Sequence, residues 1–292
     1  MGNALRDIAQ VTERQMRIPF LITARLSSVR LPTKLLLELD GTEVVSKIIE
    51  RALKVFSKED VIVCTSPLSS DDPLQAIAHR HGIGVSRGHP EDILLRLCGA
   101  CRETDAYGFV GITGENPIFQ LDHCLRIRDE IAKGRDLVRY GGLPMGCSPY
   151  GMGRAVLETV VALKEEEDTG YWGAFLNRPE AFDVLMIEAE AALRMPEVRL
   201  TVDYPEDLQL MRAIFKILPG MPDLRNVIAL LKSDPDLLAI NAMRKQSDMP
   251  PEMKQRIDNW FAANMQRLKE QRMVLAAQLS RGTTTTIGGS GS

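Results

Sequence analysis

Arg25, Arg30 and Lys34 place three fixed positive charges within ten residues, with Ser27 and Ser28 between them. Like charges this close repel, and an anionic partner is what offsets the repulsion. Guanidinium forks match phosphate oxygens, an ammonium adds a point charge, and serine hydroxyls with loop amides donate further hydrogen bonds. A solvated basic loop is the alternative reading. The apolar run 18–22 just before it has strand character, which puts the loop at the carboxyl end of a strand. Open α/β sheets bind their ligands there, and this favours a polyphosphate site. Two acids share that placement. Glu115 follows the apolar run 110–114, and Asp203 follows Leu200-Thr201-Val202. Each alone reads as a loop acid. Beside phosphates, the two supply the hard oxygens that Mg²⁺ takes from protein, the rest of its shell coming from water and substrate.

The elements that must position these groups alternate in type. Strand-like runs at 18–24, 61–64, 83–85, 109–113 and 137–140 are separated by helix-period segments. Val44, Val45, Ile48, Ile49, Ala52 and Leu53 form one helical stripe. Asp71-Asp72-Pro73 starts a second helix, and Pro90-Glu91-Asp92 opens a third that runs to about 104. A fourth is expected over 122–133. This rhythm predicts an α/β fold, a three-layer, doubly wound, mostly parallel sheet with helices on both faces. The segment 141–196 is less regular, with one helix around 155–167. Strand character returns at 198–202, and Pro205-Glu206-Asp207 starts an apolar helix to about 218. Beyond Gly220 only helices are expected. Met253, Ile257, Trp260, Phe261, Met265 and Leu268 make an amphipathic stripe in a long one, and the Thr/Gly/Ser run 282–292 reads as a low-complexity tail.

Composition narrows the classes. The chain is 45% hydrophobic and 26% charged with a net charge of −3, which suits a globular protein and disfavours nucleic acid as partner. No apolar run approaches a membrane span, and residues 1–17 lack a signal-peptide core, so a cytoplasmic location is expected. Cys64, Cys98, Cys101, Cys124 and Cys147 are an odd, scattered set, and the Cys98/Cys101 spacing falls mid-helix, where it reads as packing. His79 and His81 are two apart and do not share a helix face. Neither a Walker A sequence nor a complete dinucleotide fingerprint occurs, and there is no G-x-S-x-G elbow.

The stretch Ala24 to Lys34 resembles the signature A-R-x-x-S-x-R-L-P-x-K of cytidylyltransferases that activate acidic sugars. Ala24, Arg25, Ser28, Arg30, Leu31, Pro32 and Lys34 all fall in register. The wording is nearest to the spore-coat polysaccharide cytidylyltransferases, which are related to the CMP-acylneuraminate and CMP-ketodeoxyoctonate synthetases. The resemblance implies that Ala24, Arg25, Ser28, Arg30 and Lys34 hold the triphosphate of CTP, with Arg25 and Lys34 acting in catalysis. Thr201 to Leu208 resembles T-V-D-x-x-E-D-L, whose first Asp binds metal, here Asp203. Gly114-Glu115-Asn116-Pro117 resembles G-D-x-P, with Glu115 where the family has Asp. Val63 to Ser66 with Asp71-Asp72, and Arg87-Gly88 with Asp92 to Arg96, resemble segments that border base and ribose. They nominate Thr65, Asp72, Gly88, Asp92 and Arg96.

The resemblance covers about 17–215 and weakens in the acceptor half. In the pattern P-x-G-x-x-x-E-V, Ala155 stands in the place of Glu, and Asp168 to Trp172 stands where relatives carry R-E-H-V-T. Tyr150, Arg154, Tyr171 and Trp172 become the acceptor candidates. The organisation implied is a nucleotidylyltransferase domain over 17–220 with an acceptor and dimerisation insert at 141–196, a helical extension over 221–281 and the tail. The function implied is Mg²⁺-dependent transfer of CMP from CTP to a small anionic acceptor, with release of pyrophosphate, in surface polysaccharide or glycoconjugate biosynthesis. The acceptor would be an unusual acidic or amino sugar rather than a standard sialic acid or ketodeoxyoctonate. A small phosphate or phosphonate acceptor and a catalytically degenerate binding homologue are the alternatives. A homodimer is expected through the insert, helped by the 253–268 stripe, which one chain need not bury.

Overall fold

Phe20 and Ile22 face one side of a sheet and Leu21 the other, and Val61/Val63 against Ile62/Cys64 repeat the alternation next door. Two-residue periodicity thus divides the apolar core into two halves, one on each face. The structure, a computed structural model, describes residues 16–246 and 248–282. Its elements run β1 (Phe20–Thr23), β2 (Glu38–Leu39), β3 (Thr42–Glu43), α1 (Val44–Ala52), β4 (Val61–Thr65), α2 (Asp72–His81), β5 (Gly84–Arg87), α3 (Ile93–Glu103), β6 (Gly108–Thr113), α4 (Leu121–Ala132) and β7 (Leu137–Gly141). They continue with β8 (Tyr150–Gly153), α5 (Arg154–Leu163), α6 (Gly173–Leu176), β9 (Val184–Glu188), α7 (Pro205–Ile217), α8 (Leu224–Ser233), α9 (Pro235–Ala239) and α10 (Pro251–Gly282).

Seven strands join in the order β5-β4-β1-β6-β8-β7-β9, and only β8 runs antiparallel to its neighbours. Residues of α1, α2, α4, α7 and α8 fill one half of the core, and those of α3, α5, α6 and α10 fill the other. This is the three-layer, mostly parallel α/β architecture that the alternation of patterns predicts. The carboxyl ends of β1, β4 and β6 lie along one edge. Because β8 is reversed, it brings Tyr150 to that edge and carries Gly153, paired with Gly108, to the other.

Three expectations are corrected. The segment 141–196, read as irregular with one helix, contains two strands: β8, which no apolar run announced, and β9, which carries the apolar run Val184-Leu185-Met186-Ile187. Conversely, 198–202 is not a strand. It is a buried extended segment held by one bridge, in which Met145 N donates to Val198 O and Leu200 N to Met145 O, both at 2.8 Å. It closes on the turn at Gly146 (φ 92°), where a Cβ would lie 2.5 Å from Leu200 O. Its apolar character therefore reports burial rather than a ladder.

The third correction concerns the C-terminal stripe. Met253, Ile257, Phe261 and Leu268 are buried within this chain, packed along α5 and α6. Trp260 Nε1 donates to Leu163 O at 3.0 Å, and the ring of Phe261 meets Phe182 edge-on at 6.1 Å. The stripe has its partner already and does not call for a second chain. The helix it packs on ends at Leu163 rather than near 167, because Lys164 turns to extended backbone and pairs with Asp92. The tail from residue 283 lies outside the described residues.

Phe261→Ala should remove a fully packed ring from this interface and cost about 3–5 kcal/mol of stability. Urea unfolding measures it, and a loss below about 1 kcal/mol would mean that α10 is not part of the core.

Candidate active site

Backbone hydrogen bonds bring three remote segments to the carboxyl edge of the sheet. Gly114 N donates to Thr23 O at 2.8 Å, joining the exits of β1 and β6. Val202 N donates to Glu115 O at 2.9 Å, which lays the segment before α7 beside the β6 exit. The basic loop is anchored from below. Leu26 N donates to Asp71 Oδ1 at 2.8 Å, and the Ser66 hydroxyl donates to the same buried carboxylate. Ala24 N continues the sheet pattern to Cys64 O, and Leu31 N donates to Ser28 Oγ at 3.4 Å, curling the loop so that Arg30 and Lys34 face inward.

At the centre stands Lys34. Its ammonium lies 2.7 Å from Asp203 Oδ1 and 3.7 Å from Glu115 Oε2, with little solvent around it. Arg30 Nη2 reaches the same Asp203 oxygen at 3.0 Å, while Arg199 Nη2 stands 3.5 Å from the other. Asp203 is fixed from behind by Asp207, which is fully buried. One oxygen of Asp207 accepts from the amides of Asp203 and Tyr204, each at 3.1 Å, and from Arg199 at 3.0 Å. Its other oxygen accepts from Asn241 Nδ2 at 2.8 Å. Burial alone would raise the pKa of Asp203. The charges of Lys34, Arg30 and Arg199 outweigh it and hold the carboxyl below the ordinary range. Asp203 is therefore ionised at neutral pH, as a cation ligand must be.

Of the residues nominated by sequence, Arg30, Lys34, Glu115 and Asp203 meet in one cluster, and Ser28 shapes the loop that presents two of them. Arg25 points elsewhere: it donates to Pro90 O and pairs with Glu91 at 2.7 Å. Thr65 ends β4 with a buried hydroxyl that has no hydrogen-bond partner among the described residues, and Gly88 N donates to Thr65 O at 2.9 Å. Arg96 is almost fully buried and donates to His89 O and Pro90 O, holding up the turn that carries Glu91. Asp92 is occupied. It caps α3 through Leu95 N, accepts from Thr169 and pairs with Lys164. Asp72 is exposed and pairs with Arg87 at 2.8 Å.

On the acceptor side, Tyr150 and Trp172 come together, ring centroids 4.5 Å apart, beneath the guanidinium of Arg139. Tyr171 donates its hydroxyl to Asp248 O and ties the insert to the C-terminal extension. Arg154 does not belong here. It follows Gly153 at the opposite edge, pairs with Glu158 and Asp105, and lines a groove of about 930 Å³ with Arg17 and Asp60. Ala155 shares that location, so its departure from the family pattern says nothing about the acceptor. The sequence reading missed Asp71, Arg199, Asp207 and Asn241. The first sat in the doublet whose second member was nominated, and Asp207 is the second aspartate of the T-V-D-x-x-E-D-L match.

The donor set fits a hard divalent cation. Among the described residues no three His, Cys, Asp or Glu side chains gather into a protein-only cage. Two carboxylates flanking one ammonium form instead a half-shell of the kind Mg²⁺ shares with phosphate oxygens. The same centre carries three cationic side chains, which suits a polyanion.

A family model described as cytidylyltransferase matches residues 20–169, just over half of the chain. The spore coat polysaccharide biosynthesis protein SpsF of Bacillus subtilis is 27% identical over 75% of this chain and 95% of its own length. Among solved structures, a cytidylyltransferase from Leptospira borgpetersenii superposes with a TM-score of 0.71, at 21% identity over 80% of this chain and all of that one. CMP:2-keto-3-deoxy-manno-octonic acid synthetase complexed with CTP superposes at 0.53, with 19% identity over 69% of this chain and 99% of the other. These two likenesses carry the fold.

Asp203 makes a stability contribution whose sign follows from its lowered pKa. It is present in full above the unfolded carboxyl value of about 3.9 and is lost as pH falls through the lower folded value. Asp203→Asn should therefore melt below wild type at pH 7, with the gap closing in acid. A gap in Tm that stays constant from pH 7 to pH 3 would mean that the ion cluster contributes nothing to folding.

Proposed function

The chain belongs to the cytidylyltransferase family, and from that premise we propose that it transfers CMP from CTP to a small anionic acceptor with release of pyrophosphate. The acceptor is an unusual acidic or amino sugar, and the setting is surface polysaccharide or glycoconjugate synthesis in the cytoplasm. One observation carries this reading: Lys34 held between Asp203 and Glu115, with Arg30 on the same carboxylate. The synthetase that shares the fold is a CTP complex, and the curated relative is named for polysaccharide synthesis.

In this reading the triphosphate lies on the loop 24–34, taking hydrogen bonds from loop amides and Ser28 and charge from Arg30 and Lys34. Arg25 joins them by exchanging Glu91 and Pro90 O for phosphate, giving up one partly exposed ion pair and one backbone hydrogen bond. Thr65, Gly88 and the turn held by Arg96 border the base and ribose, with Asp92 and Asp72 supporting the helix starts beside them. Glu115 and Asp203 would hold Mg²⁺, which when bound would supply charge neutralisation for the phosphates. The acceptor oxygen attacks the α-phosphorus in line, the bond to the β-phosphate oxygen breaks, and the hydroxyl proton passes to solvent. Positioning and charge carry such a transfer, and the fixed cations of the loop stabilise the departing pyrophosphate.

The transferase unit is taken as 17–220, with 221–281 as extension. No helix among the described residues is long and apolar enough to cross a membrane. A homodimer now rests on the insert alone, where β9 forms one edge of the sheet with Met186 exposed. Light scattering at micromolar concentration tests it, and the monomer mass would remove it.

With CTP, Mg²⁺ and a panel of acidic sugars, amino sugars and phosphonates, wild type should release pyrophosphate with at least one acceptor. Lys34→Ala should slow turnover by about 10²-fold or more while remaining folded. CTP should raise Tm by mass action more than ATP, GTP or UTP, and only with the metal present. Equal shifts for all four nucleotides would overturn the cytidylyl assignment, and wild-type turnover in Lys34→Ala would reduce the loop to a solvated basic face.

A further inference from the structure

Tyr204 gathers three guanidiniums around one ring. The guanidinium carbons of Arg30, Arg199 and Arg244 lie 5.1, 5.6 and 4.7 Å from its centroid. They come from three parts of the chain: the basic loop after β1, the extended segment before α7, and the connection between α9 and α10. Like charges this close repel, and each is held by an acid of the turn 203–207. Arg199 donates to both oxygens of Asp207, at 3.3 and 3.0 Å. Arg244 takes Glu206 through two bonds of 2.9 and 2.7 Å, a paired geometry that fixes the plane of the cation. Arg30 reaches Asp203 Oδ1 at 3.0 Å.

The three pairs are not equal. The oxygen that Arg30 takes is also the one that Lys34 takes at 2.7 Å. In the transfer reaction proposed above, the same carboxylate serves the metal as well. The ring of Tyr204 is a partner for Arg30 that neither Lys34 nor the phosphates compete for. Contact through the flat face of the guanidinium leaves its in-plane N–H groups directed at oxygens. The side chain of Arg30 is 43% exposed, and without a surface to lie on it would sample several rotamers that a ligand must then freeze. Tyr204 is itself fixed. Its amide donates to Asp207 at 3.1 Å where α7 begins, and Arg244 reaches its ring from the extension.

We propose that the ring of Tyr204, seated against Arg244 of the C-terminal extension, is a positioning surface that keeps Arg30 turned to the triphosphate while Asp203 serves the metal. The inference rests on the nucleotide reading above and deepens it. It gives a residue beyond Gly220 a part in nucleotide affinity, through a chain of two ring contacts: Arg244 on Tyr204, and Tyr204 on Arg30.

The test measures the dissociation constant of CTP with Mg²⁺ by calorimetry, on the full chain and without acceptor. Tyr204→Leu should weaken CTP about fivefold, the factor that a partly exposed cation–ring contact amounts to. In an Arg30→Gln background the same change should cost less than about twofold, because Tyr204 acts through Arg30. Arg244→Gln should show a smaller loss that also vanishes in that background. Tyr204→Phe keeps the ring and should bind CTP more tightly than Tyr204→Leu. Tyr204→Met keeps the bulk without the ring and stands in if the leucine variant fails to fold. A loss that persists undiminished in the Arg30→Gln background would leave Tyr204 a merely structural residue and overturn the proposal. So would unchanged affinity in Tyr204→Leu, or equal losses in the phenylalanine and leucine variants. Unchanged affinity in Arg244→Gln would overturn the part given to the extension. Failure of wild type to bind CTP, or wild-type affinity in Arg30→Gln, would instead strike the nucleotide reading on which the inference rests.

Discussion

The buried ammonium of Lys34 is the constraint around which the rest of the site is organised. It sits where the loop after β1, the loop after β6 and the segment before α7 converge, and the last two contribute its carboxylate partners, Glu115 and Asp203. A lysine this enclosed is costly unless opposite charge surrounds it. Two carboxylates and the neighbouring Arg30 and Arg199 make a cluster of alternating sign in which Asp203 is the shared member. The arrangement offsets desolvation within the protein and leaves Asp203 charged. In the proposed reading, a polyphosphate with its metal would exchange with partners already in place, with little reorganisation on binding.

Asp203 could not serve this role on loop backbone alone. It follows an extended segment tied to the sheet by a single bridge, and its direction is set by Asp207 one helical turn on. Asp207 in turn is held by Arg199 and Asn241, and Arg199 reaches back to Asp203. Tyr204 closes the network as an aromatic surface under Arg30, Arg199 and Arg244, with centroid distances of 5.1, 5.6 and 4.7 Å. Removing any one partner strands a buried charge, which is why such networks behave as units.

What could be read from the sequence, and what could not, divides along physical lines. β1, β4 and β6 are continuous apolar runs, because parallel strands are covered on both faces, and they were visible for that reason. The basic loop 24–34 was visible because its charges need a partner wherever they lie. Tyr150-Gly151-Met152-Gly153 was invisible as a strand: two glycines lower its propensity, and only neighbours β6 and β7 make it one. The run 198–202 misled in the opposite direction, since burial without a ladder produces the same apolar signal.

The C-terminal stripe illustrates a further limit, and also a gain. Periodicity told that α10 has an apolar face but not what covers it, and α5 turns out to carry the matching face. The consequence reaches the site. α8 packs into one half of the core and α10 into the other, so the chain beyond Gly220 spans both faces of the sheet. Asn241, in the connection between them, donates to Arg199 O and to Asp207. The extension is therefore continuous with the carboxylate that the site depends on. Asn241 thus links the connection between α8 and α10 to Asp203 through Asp207 and Arg199, each of which also contacts Asp203.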